Sequence, residues 1–158
     1  MNNFYVNINN SYTTIGSGTN SSPFNFTQFL SNISSGLQNN TTYYIEGLRS
    51  ISADENIDIY INTLNNNDVD VILTNKLKEP WVITGFDVIG NQNVITISTG
   101  NILDDSNYIS PKSLTIKNFV LSIYNNISDV DESLKFDNID GRLDTTINID
   151  NSYLEVVK

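Results

Sequence analysis

The chain contains no cysteine and no histidine. Without cysteine no disulfide can staple the fold, and thiolate nucleophiles and thiolate metal sites are excluded. Without histidine the commonest general base and metal ligand is missing, so no Ser-His-Asp triad can be assembled from this chain. Basic residues are also scarce: 8 Lys and Arg stand against 18 Asp and Glu, a formal net charge of −10. A surface of that sign repels phosphate and anionic lipid, so neither nucleic acid nor membrane is an expected partner. No apolar run approaches the length of a membrane span. The opening "MNNFYVNINN" has no basic segment followed by an apolar one, so no signal peptide is visible and synthesis in a cytoplasm is expected.

What is present is uncharged polarity. Hydrophobic residues make up 39% of the 158 and charged residues only 16%. Asparagine accounts for about one residue in six, well above ordinary usage. Asn-rich chains are often disordered, but here apolar residues recur at strand period through most of the length. The expectation is one domain, 1–158, large enough for a real core. Within it, 1–40 holds a strand, a loop and a helix, and 41–158 holds β-structure with no linker that divides it.

Residues 4–8, "FYVNI", read as a strand, and "GSGTNSSP" at 16–23 reads as a loop. Phe26, Phe29, Leu30, Ile33 and Leu37 then fall three and four apart, one apolar stripe on a helix expected at about 25–36. Asn25 followed by Gln28 has the form of a capping box, and Gly36 suits the far end. Beyond residue 40 the period is two: Ile57, Ile59 and Ile61 alternate with Asp58 and Tyr60, and Val69, Val71 and Leu73 repeat the form.

A short motif recurs among these strands. "YIEGL", "VITGF", "TIKNF" and "KFDNI" each run an apolar residue, one polar residue, Gly or Asn and another apolar residue, with the Gly or Asn at Gly47, Gly85, Asn118 and Asn138. Both residue types enter the left-handed backbone region easily, so each position is an expected corner that turns the chain without reversing it. Stacked Asn side chains at such corners can hydrogen-bond as a ladder. The order "FYVN", "GSGTNSSPF", "FTQFLSNI" and "TYYIEG" resembles the start of the right-handed parallel β-helix, the pectate-lyase-like family, and its short modules in phage and virus structural proteins. The resemblance spans most of residues 4–139. It implies an all-β fold: a short right-handed parallel β-helix with an N-terminal amphipathic capping helix over the first coil. The alternative for the same short strands is an antiparallel β-sandwich or jelly roll.

Candidate chemistry is thin. Asp137, Asp140 and Asp144 surround Gly141 in "DNIDGRLD", a candidate calcium loop that departs from the EF-hand pattern at Phe136 and lacks its closing Glu. Otherwise no cofactor is expected. The resemblance implies that an active member would be a polysaccharide lyase or glycoside hydrolase, yet Arg49 and Arg142, the only arginines, match no family motif. No catalytic residue is assigned, and no enzymatic activity is expected. Trp81 and Tyr60 are the candidate sugar-stacking aromatics.

The expected role is therefore a structural or attachment module of a virion, a capsid- or appendage-associated protein assembled in a host cytoplasm. Its partners would be copies of itself, with a trimer as one arrangement, or a larger virion or surface protein. The alternative is a carbohydrate-binding or carbohydrate-cleaving β-helix with a glycan partner. A third reading is a cell-surface adhesin, placed outside the cell.

Overall fold

The computed structural model describes residues 2–52, 55–66, 68–88, 95–100, 107–125, 134–138, 146–150 and 153–157. The elements in chain order are β1 (Asn2–Asn7), α1 (Phe26–Ile33), β2 (Thr41–Glu46), β3 (Leu48–Ile51), β4 (Ile57–Ile61), β5 (Thr63–Leu64), β6 (Asp70–Asn75) and β7 (Trp81–Val88). They continue with β8 (Ile95–Thr99), β9 (Tyr108–Ile109), β10 (Ser113–Lys117), β11 (Phe119–Asn125), β12 (Leu134–Asn138), β13 (Thr146–Asp150) and β14 (Tyr153–Val157).

Successive passes of the chain lay equivalent strands side by side. One sheet runs β1-β2-β6-β10-β13, a second β14-β11-β7-β3 and a third β12-β8-β4. Every pairing in these three sheets is parallel. An antiparallel sandwich would pair neighbours in opposite directions; here, among the described residues, that occurs only in the two-residue pairing of β5 with β9.

Parallel sheets in α/β folds are covered on both faces and read as continuous apolar runs. These sheets differ. In β4, Ile57, Ile59 and Ile61 are buried while Asp58 and Tyr60 are exposed. This strand thus turns one face to the interior and the other to solvent, and β6 and β10 likewise alternate buried with half-buried residues. The register aligns the inward residues in columns: Tyr43, Leu73 and Ile116 in the first sheet, and Ile59, Ile97 and Phe136 in the third. A one-residue slip would turn each column outward, so burial fixes the register.

The helix forms as its sequence dictates. The Asn25 side chain accepts from the Gln28 backbone N–H, and the Gln28 side chain accepts from the Asn25 backbone N–H. The helix is shorter than the stripe suggests. It ends at Ile33, and Leu37, past Gly36 with φ +95°, reaches the core from extended backbone that bridges Thr63. Phe26, Phe29 and Ile33 are buried and Leu30 half-buried. Removing each buried side chain from water is worth about 1.5–3 kcal/mol.

Two of the expected corners are present. Gly47 turns the chain between β2 and β3 at φ +109°, and Asn118 does the same between β10 and β11 at φ +53°. Gly85 is no corner. It lies buried inside β7, opposite Ile51 and Ile123, where the register shifts before Val88 meets Asn125. A bulge and a corner share the same local signature, a Gly or Asn set into an alternating apolar strand. The turn between β6 and β7 falls instead in residues 76–80, after the last residue of β6, Asn75. The Asn75 side-chain oxygen accepts from Asn118 Nδ2 at 2.6 Å, one rung of an asparagine ladder. Asn138 closes β12 opposite Thr99, and the residues 139–145 after it lie outside the described set.

Candidate functional site

The two ends of the strand stack differ, and the difference begins with particular residues. At the N-terminal end the free edge of each sheet is occupied. The edge of β1 meets residues 18–24: Tyr5 N–H donates to Gly18 O and Asn7 N–H to Phe24 O, while Phe24 N–H donates back to Tyr5 O. Phe24 then stacks on Phe4 at 5.4 Å, and Phe4 on Tyr43 at 5.6 Å.

The edge of β3 is met by side chains acting as backbone. Leu48 N–H donates to Asn9 Oδ1 at 2.8 Å. Asn10 Oδ1 accepts from Ser50 N–H at 2.7 Å while its amide donates to Ser50 O at 2.9 Å. A primary amide has the same donor and acceptor as a peptide group, so one asparagine supplies a rung of a missing strand. The edge of β4 runs into α1, where Asn62 N–H reaches Ile33 O and Leu37 N–H donates to Asn62 O. The Tyr43 hydroxyl donates to Asn32 Oδ1 at 2.6 Å, and burial holds that phenol well above its ordinary pKa.

At the other end β13, β14 and β12 are the last strands of their sheets. Among the described residues no strand, helix or side-chain amide pairs with their outer edges. Unpaired edges of this kind are templates for a further strand.

The residues singled out by sequence are placed apart from one another. Trp81 is 2% exposed, stacked on Phe119 at 4.2 Å, with its indole N–H donating to Lys117 O. It is a packing residue at the start of β7 and cannot stack on a sugar, because its ring face is taken. Tyr60 is 40% exposed on the outer face of β4, beside Ser98 of β8. Asp137 is exposed on β12 opposite Ser98, whereas Asp140, Asp144 and Arg142 lie outside the described residues. No group of three potential metal ligands comes together among the described residues. No described helix is long and apolar enough to cross a membrane.

Asn9 and Asn10 escape a reading of the sequence. Both sit in an asparagine-rich opening where nothing local separates an edge-pairing amide from a solvated one. No protein family, curated protein or solved structure matches the chain.

Proposed function

We propose that this chain is a non-enzymatic structural or attachment module of a virus particle. In this reading it is a short right-handed parallel β-helix that joins other polypeptide through its last layer. The observation that supports it is the asymmetry of the ends. Three separate devices close the first layer, and among the described residues the edges of β12, β13 and β14 carry none. Right-handed crossover is the near-universal choice for parallel connections in one sheet. A stack closed at one end cannot add copies head to tail without limit, so growth stops at a defined partner.

Hydrogen exchange combined with light scattering tests this. Self-association should rise with concentration, and amides of β12–β14 should become protected in the associated form while those of β2 stay constant. A species monomeric at every concentration, with β12–β14 amides already as protected as those of β2, overturns the proposal.

A second reading rests on Tyr60, which is exposed with Asp58 on the outer face of β4. Such a ring can stack on a sugar face. On a glycan array, a specific signal abolished by Tyr60→Ala would favour this reading; no signal would remove it.

A further inference from the structure

Arg49 occupies a position that the fold reserves for apolar side chains. The register of the second sheet aligns it with Ile83 and Leu121 in successive layers, both buried. Placing a guanidinium in a core column is costly unless the charge is paired. Yet among the described residues the ion pairs are Lys76 with Glu46 and Lys112 with Asp68, and Arg49 takes part in neither. Its Nε is buried with no hydrogen-bond partner. The one bond it makes among the described residues is long, from an Nη to Ile8 O at 3.4 Å. Its guanidinium lies 4.3 Å from the centre of the Phe26 ring, which holds the plane by a cation–π contact.

The side chain opens into a cleft of about 440 Å³ at the closed end of the stack. Its walls mix Phe26, Tyr12 and the 83% exposed Ile15 with Thr13 and Thr27. The other amides there are already engaged: Asn25 and Gln28 cap the helix, and Asn10 pairs with Ser50. Among the described residues Arg49 is thus the cleft's single charge and its principal unspent donor. No described carboxylate lines the cleft, although the chain as a whole carries −10.

We infer that this cleft binds the carboxylate of a small organic acid, with Arg49 donating to its oxygens and the Phe26, Tyr12 and Ile15 surfaces covering its apolar part. With Nε buried and the guanidinium carbon over the Phe26 ring, the Nη groups are the donors left for a carboxylate, whose charge and planar shape a guanidinium matches. One cation balances one negative charge. A phosphate dianion would need more, and the surrounding negative field opposes polyanions. The site lies at the end of the stack opposite β12–β14, so its failure would leave the assembly proposal standing.

Titration of the whole protein with N-acetyl-leucine and benzoate, each against its neutral amide, followed by NMR, tests the inference. At least one acid should bind saturably, shifting resonances of Tyr12, Thr13 and Arg49, and its amide should bind roughly tenfold or more weakly. Arg49→Met should lose the same factor while keeping the thermal midpoint, because methionine suits a column that otherwise holds Ile83 and Leu121. Thr13→Asp places a competing carboxylate in the cleft without touching the core. It should abolish binding even if Arg49→Met fails to fold. Equal binding of acid and amide, unchanged binding in both variants, no saturable binding of either acid, or preference for inorganic phosphate would each overturn it.

Discussion

Gly47 and Asn118 do the same work in different layers with different tolerance. A Cβ on Gly47 would lie 2.6 Å from Asn9 Oδ1, and φ of +109° is closed to ordinary side chains. Gly47→Ala should therefore destabilise the protein by roughly 2 kcal/mol or more, by strain and by displacing the amide that pairs with Leu48. Asn118→Gly keeps its φ of +53° accessible and loses only the bond to Asn75, about 1 kcal/mol. Urea melts of the two variants check the order. Tyr43 adds a pH signature. Its folded-state pKa is raised by burial, so the stability it contributes is fully present below the ordinary phenol value of about 10 and is lost as pH rises beyond it. Tyr43→Phe should cost about 1–2 kcal/mol at neutral pH, by leaving Asn32 Oδ1 without its donor, and should flatten the alkaline limb of a pH–stability curve.

Among the elements, α1 stands on a short sequence whose signals are all local. Asn25→Ala removes the acceptor of the Gln28 N–H and should cost about 1 kcal/mol, read as a lower thermal midpoint with the fold intact. The helix and its cap are legible in the sequence because spacing and capping act within one turn. Gly85 defeats the same kind of reading for the converse reason. Whether a Gly between apolar residues bends a strand or turns a corner depends on the strand beside it, and β7 lies between β3 and β11. Trp81 is similar. At the start of a strand after Pro80 it carries no local mark that separates a sugar-facing ring from a packed one, and the layer that places Phe119 over it makes it core.

For the molecule as a whole, charge and edges oppose each other. A net charge of −10 keeps copies apart, while the edges of β12–β14, unpaired among the described residues, favour joining them. Screening weakens the repulsion over a Debye length of about 8–10 Å near physiological salt and leaves backbone pairing almost untouched. Self-association measured by light scattering should therefore strengthen as salt is raised. It should strengthen further as pH falls toward the sequence pI of about 4.1. An association that weakens with salt would show that charge pairs, and not edges, hold the copies together.

The order of residues along the chain is enough to give the alternation of most strands, where the helix begins and four possible corners, of which Gly47 and Asn118 are two. Periodicity, capping and left-handed backbone are properties of near neighbours. Three other features arise only when the layers pack: the parallel direction of the strands, the completion of the β3 edge by Asn9 and Asn10, and the place of Arg49 in a column of aliphatic side chains. The last two join residues about forty positions apart, and no local pattern encodes which layer lies on which.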